Sequence, residues 1–532
     1  MKKLLKRELS IKKTFIIVLT LCLLWNCNLV AQQDGTIDYF DRQIPRKSNK
    51  EFQFIAYFYN QLVTSNFFPT NDFLRGQIIG RLYGANTTGS TDTVNTAYFE
   101  QRFLPFFIYQ PKLLDGKVIL RASFEIDWTW GDVAYGTGGN SGSAVSGDQV
   151  NIQTQNIEVE FIPKPGWAIN LGLQRMFDTP FNPYRTVFDK MTTTAYRLMY
   201  FGTDAVGITV RKDNDFERWK AGYFQLYENN IQDKDDVVLY EFMYDRVLSP
   251  KWNLGGSMYY VRDRANGEGG PSILGQGLNS TLADYNGVFR FPFGSDDYRA
   301  DVAWLGTYWG YNQELMEDDF FMTGFLNYNF GSIDLDEGDG FNETIDISGL
   351  GANLRLGYRH GHTENDIVAA DIVYTTGDDD GIDDGKYSGV LTGNTWGTPA
   401  SIYISSGAYI LFPHGNVVNR FVSAVNDISN LGLGLTGVTL NYYKDIIPYK
   451  VNAKAGLAYA YSNVNPENGG QNIGVEFNGR ISYQPKVFMN IELHAAYLSL
   501  GDFYDSPEVN AGVSERPPNP WTAFLAFKWL MF

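Results

Sequence analysis

The sequence predicts an all-β protein, a transmembrane antiparallel β-barrel of about 18 strands (roughly 16–20). Three observations lead to this class. Aromatic residues make up 15% of the 532 residues and there are 54 glycines, a composition that suits strands and turns better than helices. Apolar and polar residues alternate over segments of about ten to fifteen residues, the period of a strand with two different faces. The connections between these segments are of two kinds, short and long.

The N-terminus carries the pattern of a secretory signal peptide. Six basic residues fall within the first thirteen positions, and an apolar run covers residues 15–25. That run is shorter than the roughly 20 residues that a membrane-spanning helix needs. We therefore predict a signal peptide over residues 1–31, an N-terminal extension over 32–70 and the barrel over 71–532. A short membrane anchor and a lipoprotein at Cys27 are the alternatives.

The predicted wall strands have one apolar and one polar face. Residues 117–130 show this best, and residues 99–109, 238–245, 473–483 and 489–497 follow the same pattern. In residues 298–308 the pattern assigns Tyr298, Ala300, Val302, Trp304 and Tyr308 to the lipid face, and Arg299, Asp301 and Thr307 to the lumen. We count about 20 candidate strands, of which residues 74–84 and 401–411 are the least regular.

Short connections at residues 163–166, 212–215 and 484–486 predict periplasmic turns. Long polar connections at residues 136–147, 266–279, 333–342, 377–397 and 462–471 predict extracellular loops. Residues 180–197 are a candidate to fold inward. The terminal Phe532 resembles the signal that outer-membrane barrels present to the barrel-assembly machinery, although Lys528 falls on the same face. We expect the mature chain in the outer membrane of a Gram-negative bacterium, in contact with its lipid.

Two pairs of segments resemble a known family. Residues 170–185 read NLGLQRMFDTPFNPYR and residues 200–211 read YFGTDAVGITVR; residues 374–386 read YTTGDDDGIDDGK and residues 411–415 read LFPHG. They resemble the alginate-export family of outer-membrane porins, with its Leu-Gly-Arg-Gln, Phe-Asp-Gly-Val and Ser-Gly-Asp-Asp motifs. Leu173 and Ala205 depart from those motifs. The resemblance implies an eighteen-stranded monomeric channel for polysaccharide export, with an anionic polysaccharide such as alginate as its substrate.

The charged residues of the lumen face predict a passive channel for saccharides, with anionic sugars preferred. A guanidinium binds a carboxylate with two hydrogen bonds, so arginines in a pore favour acidic solutes. The candidate pore-lining residues are Arg102, Arg121, Arg290, Arg299, Arg355, Arg480, Glu125 and Asp301. The alternative is that these charges pair across strands and only solvate a wide lumen. A net charge of −17 argues against a nucleic-acid partner.

The remaining motifs bear on three other functions: partner binding, catalysis and metal binding. A receptor or secretion-apparatus barrel that binds a partner protein at its outer loops is the alternative to a channel. An enzyme is not expected, because four histidines and no nucleophile motif do not compose a catalytic site. Five aspartates make one loop a candidate Ca²⁺ site, against a simple solvated loop; they are Asp378, Asp379, Asp380, Asp383 and Asp384. No other cofactor is expected.

Overall fold

A ring of antiparallel strands forms the wall of the molecule. The computed structural model describes residues 51–70, 78–83, 88–93, 95–130, 151–175, 204–214, 216–228, 233, 235–266, 291, 293, 297–312, 318–336, 340–391, 407–412, 420–425 and 428–531. Within these residues eighteen strands, β1 to β18 in chain order, each pair with two neighbours. They are Phe52–Ser65, Thr96–Tyr109, Val118–Trp130, Asn151–Phe161, Trp167–Arg175, Asp204–Asp213, Glu217–Tyr227, Val237–Val247, Trp252–Asp263, Asp297–Tyr311, Phe320–Asp336, Phe341–Arg359, Ile367–Thr375, Leu435–Ile447, Val451–Ser462, Asn472–Lys486, Met489–Leu500 and Trp521–Met531.

The first and last strands close the ring. β1 pairs with β18, with Ala56 opposite Met531, and on its other edge with β2, where Phe52 stands opposite Tyr109. The predicted closed antiparallel barrel of about 18 strands is therefore confirmed. The predicted boundary at residue 71 is too late, because β1 lies inside the expected N-terminal extension. The predicted signal peptide lies outside the described residues.

The two ends of the barrel differ in their connections. At one end, the short-turn rim, neighbouring strands are joined by a few residues, such as 162–166 and 214–216. The 3₁₀ turn Lys112–Leu114 lies at this rim, and the other, Asp502–Asp505, lies at the long-loop rim. Residues 333–342 are mostly strand, because β11 runs to Asp336 and β12 begins at Phe341. Likewise, β16 extends through residues 484–486. The predicted segments 136–147 and 180–197 lie outside the described residues.

The wall is apolar outside and polar inside over most of its circumference. On β17, Leu493 is 52% exposed while His494 beside it is 2% exposed. The same alternation, apolar outward and polar inward, holds in the described parts of β3 and β16. A hydrocarbon environment favours this inverted arrangement, and a closed ring leaves no strand edge unpaired. No helix among the described residues is both long and apolar enough to cross a membrane.

The interior itself has two layers. Many of the inward charged residues lie in the half of the wall near the short-turn rim, whereas the inward residues of the long-loop half are mainly apolar and fully buried, with Glu100, Asp263 and Glu476 as charged exceptions. These apolar residues are Val237, Leu239, Val261, Ala300, Val302, Trp304, Ile333, Leu335, Ile345, Ile347, Leu435, Ile473, Leu498 and Leu500. They pack against segments of the long connections, so part of the lumen carries a hydrophobic core.

Those segments were predicted as wall strands and are not. Residues 78–81 pair in parallel with residues 420–423, apart from the ring, and residues 407–412 form turns and bends. A further short strand, Lys386–Tyr387, adds in parallel to β12. A short apolar run suits a buried inner segment as well as a wall strand, and periodicity does not separate the two.

The predicted faces of β10 are also wrong. Tyr298, Ala300, Val302, Trp304 and Tyr308 are at most 3% exposed and point into the barrel, where the Trp304 indole donates to the carbonyl oxygen of Leu391 at 2.9 Å. The polar residues between them face outward; Arg299 and Asp301 lie near the long-loop rim and Thr307 nearer the short-turn rim. The polarity of the two faces is reversed here because the inner surface covers a hydrophobic core.

Candidate functional site

A buried cluster of charges spans β3 to β6 on the inner wall. The guanidinium of Arg121 donates two hydrogen bonds to the carboxylate of Glu160, at 2.9 and 3.1 Å. Arg211 donates to the same carboxylate at 2.6 Å, and Glu158 lies 3.7 Å from Arg121. The amide of Asn170 donates to both glutamates, at 3.1 and 3.2 Å. We call these five residues the β3–β6 charge cluster.

The row of alternating charges continues along the wall. Lys220 on β7 lies 3.0 Å from the carboxylate of Glu241 on β8, and both side chains are buried. One pair nearer the short-turn rim, Arg218 stands opposite Asp245 in the same ladder. Opposite charges on adjacent strands therefore face the lumen from β3 to β8, and each cation has a carboxylate beside it.

A second cluster lies on β16 to β18. The carboxylate of Glu492 accepts from Lys528 at 2.7 Å and contacts Nε2 of His494 at 2.9 Å, with Arg480 3.9 Å away. The imidazole of His494 stacks on the ring of Phe524, with centroids 4.3 Å apart. Three basic side chains thus surround one carboxylate. We call this group the Glu492 cluster.

The arginines predicted to line the pore fall into two groups. Arg102, Arg121, Arg355 and Arg480 lie on the inner wall. Beyond the clusters above, Arg355 lies 3.9 Å from the carboxylate of Asp371, which also accepts from Asn353 at 2.7 Å. The predicted alternative, charges paired across strands, thus describes the contacts of Arg121, Arg355 and Arg480.

Arg299 and Asp301 lie outside the lumen. The carboxylate of Asp301 accepts from Arg264 at 2.7 Å and from the Tyr260 hydroxyl at 2.5 Å, and its side chain is 40% exposed. Assigning the outward face of β10 to the lumen caused this error. Arg290 and the side chain of Glu125 lie outside the described parts of the chain; the backbone of Glu125 belongs to β3.

The five aspartates of residues 378–384 do not converge on a cation site. No group of three or more His, Cys, Asp and Glu residues in the described part of the chain is arranged to hold a metal ion. The buried carboxylate of Asp378 instead accepts from the backbone N–H and the hydroxyl of Ser388, at 2.7 and 2.8 Å. Burial, followed by repulsion from Asp384, Asp378 and Asp379, raises the pKa of Asp380. The loop is therefore braced by its own hydrogen bonds.

Four inward-facing charged residues were not identified from the sequence: Glu158, Glu160, Lys220 and Lys528. The alternation of residues along their strands could have identified them as lumen residues. Glu158 and Glu160 occupy alternate positions of β4, as Arg218 and Lys220 do on β7. The period of two places each pair on one face. Alternation does not show which residues of the neighbouring strands stand opposite them, so their ion-pair partners could not be predicted.

No protein-family model matches the sequence, and no curated protein matches it. The chain is similar to the solved structure of Acinetobacter baumannii OccAB4, at 12% identity and a TM-score of 0.45 over 92% of this chain and 99% of that one. It is similar to a BenF-like porin from Pseudomonas fluorescens Pf-5, at 8% identity and a TM-score of 0.47 over 91% and 99%. For Pseudomonas aeruginosa OccK11 (OpdR) the identity is 9% and the TM-score 0.43, over 90% and 96%. The strand pairing of this chain by itself establishes the closed barrel.

Proposed function

We propose that the chain is a porin, a passive channel for small polar solutes in the outer membrane of a Gram-negative bacterium. One observation carries the proposal: the eighteen strands close on themselves with apolar side chains outside and paired charges inside. A lipid bilayer accommodates a closed barrel with this polarity, and a charged inner wall offers polar solutes a path. The short turns would lie in the periplasm and the long loops outside the cell.

Saccharides are the solute class we favour. The inner wall combines buried amides and carboxylates, among them Asn170, Asn353 and Glu241, with aromatic rings such as Tyr59. Amide and carboxylate groups exchange hydrogen bonds with sugar hydroxyls. An anionic polysaccharide such as alginate has weaker support, because Arg121 and Arg480 each lie beside a carboxylate that lowers their attraction for a second acid.

The test combines location, conductance and solute block. The full-length chain should fractionate with outer membranes and migrate differently before and after heating, because closed barrels resist detergent unfolding. The purified protein should give discrete conductance steps in a planar bilayer, and a neutral oligosaccharide should reduce the open current. Recovery as a soluble periplasmic protein would refute the membrane assignment. If only uronate oligosaccharides reduce the current, the preferred solutes are acidic sugars and not neutral ones.

A further inference from the structure

A short segment of the long connection between β13 and β14 lies inside the barrel. Residues 408–412 are almost completely buried. The segment hydrogen-bonds to residues 424–425, with Ala424 N–H donating to Ile410 O at 2.8 Å and Val425 N–H to Leu411 O at 3.0 Å. We call residues 407–412 the inner segment.

One carboxylate of the wall holds this segment. Glu476 on β16 is fully buried, and its oxygens accept the backbone N–H groups of Tyr409, Ile410 and Leu411 at 2.7, 2.9 and 2.6 Å. The amide of Asn478 donates to the same carboxylate at 2.7 Å. Four donors therefore use the four acceptor positions of one carboxylate, and three of them come from the inner segment.

A cation of the wall holds the other end. The ammonium of Lys454 on β15 donates to the carbonyl oxygen of Gly407 and to Asn478 at 2.6 Å. It also lies 4.3 Å from the centre of the Tyr409 ring. Tyr409 in turn packs edge-on against His494, with centroids 5.1 Å apart. The inner segment is thus fixed to the wall at several points of its backbone and side chains, on β15 to β17.

We infer that Glu476 is a positioning residue that clamps the inner segment inside the barrel, against β15 to β17, and thereby sets the conductance of the pore. The inference rests on the proposed channel function. A carboxylate is the group that this clamp requires, because it accepts several N–H groups at once and presents no donor of its own. A glutamine keeps the size of the side chain but directs an NH₂ group at backbone N–H groups that are already donors.

The experiment compares Glu476→Gln with a variant that loses a similar clamp elsewhere. Asp366, in the turn between β12 and β13, accepts the backbone N–H groups of Asp445 at 2.8 Å and His362 at 3.0 Å, and the ammonium of Lys444 at 3.0 Å. Asp366→Asn therefore removes a carboxylate that also holds backbone N–H groups, but at the short-turn rim and away from the inner segment. Each purified protein is measured by single-channel conductance in a planar bilayer, by the largest polyethylene glycol that enters the pore, and by thermal unfolding.

We expect Glu476→Gln to shift the conductance steps to larger values and to admit larger polyethylene glycols, while Asp366→Asn lowers the unfolding temperature and leaves the pore size of the wild type. A second variant, Leu411→Pro, removes the donor of the 2.6 Å bond and leaves the barrel wall unchanged. It tests the clamp if Glu476→Gln does not fold, and the same enlargement is expected.

The outcomes separate the two proposals. If the wild type and Asp366→Asn conduct and the clamp variants that fold conduct identically to them, Glu476 does not set the pore and the channel function stands. If neither the wild type nor any folded variant conducts, the channel function itself fails. If the wild type gives no current and the clamp variants conduct, the clamp is supported, because Glu476 then holds the pore closed.

Discussion

Replacing Arg121 with methionine tests whether the β3–β6 charge cluster stabilises the barrel or only lines it. Arg121 is 5% exposed, and its guanidinium contacts both carboxylates of β4. Without it, Glu158 and Glu160 remain close together, and Arg211 still contacts Glu160. The matched variant is Arg299→Met, since Arg299 has the same charge but lies on the exposed outer face of β10.

The contacts set the expected magnitude. Breaking a buried ion pair by removing one partner costs about 3–5 kcal/mol. We expect the lower end for Arg121→Met, about 3 kcal/mol, because Arg211 still pairs with Glu160 and Asn170 still donates to both glutamates. That corresponds to roughly a hundredfold change in the unfolding equilibrium. Exposed charges contribute about 0–1 kcal/mol, which is the expectation for Arg299→Met.

The free energies are measured by reversible urea unfolding of the refolded barrel in detergent, with the wild type and both variants side by side. The difference between the two arginine variants is the informative quantity, since it cancels the general effect of losing a positive charge. An Arg121→Met barrel within 1 kcal/mol of Arg299→Met would show that the cluster is hydrated and contributes little to the fold.

Three further predictions concern the turn, the acidic loop and one glycine. Burial raises the pKa of Asp366, but hydrogen bonds from Asp445 N–H, Lys444 and the turn hold that pKa well below its usual range. A depressed pKa adds stability to the folded state at pH values above the unfolded pKa of about 3.9. The excess stability of the wild type over Asp366→Asn, measured by urea unfolding, should therefore shrink as the pH falls below about 4. Calcium up to millimolar concentrations should leave the melting temperature unchanged, since residues 378–384 do not form a cation site, and a rise with calcium would restore the predicted site. Gly172 has a φ of +121° and a Cβ there would overlap the carbonyl oxygen of Ile157, so Gly172→Ala should cost about 1–3 kcal/mol, against little for Gly256→Ala, whose Cβ meets only Gly306 O at 3.5 Å.

The faces of most wall strands could be predicted because lipid and lumen impose opposite demands on alternate residues. On β17 the period of two places Ile491 and Leu493 outside and Glu492 and His494 inside, as expected. Lys528 on β18 also lies inside, where it meets Glu492. In these strands a single pattern carries both the secondary structure and the direction of each side chain.

The inner segment and the ion pairs could not be predicted, because they depend on contacts between distant parts of the chain. Glu476 is 65 positions from Leu411, and nothing in either local sequence specifies that one accepts from the other. The pairing of Arg121 with Glu160 depends on strand register, which alternation leaves open. The arginines were identified from their positions along the strands, but which carboxylate each one contacts came only from the structure.

The reversed face of β10 explains why alternation alone misread part of this barrel. An alternating strand shows that its two faces meet different surroundings but does not show which face is inside. Near the short-turn rim the outside is apolar and the inside charged, so polar residues mark the lumen. Near the long-loop rim Val302 and Trp304 pack inward on a hydrophobic core while Arg299 and Asp301 face outward. The reversal therefore marks the depth at which the barrel interior changes from a charged wall to a packed core, and that core includes Tyr409, Ile410 and Leu411, whose N–H groups Glu476 holds.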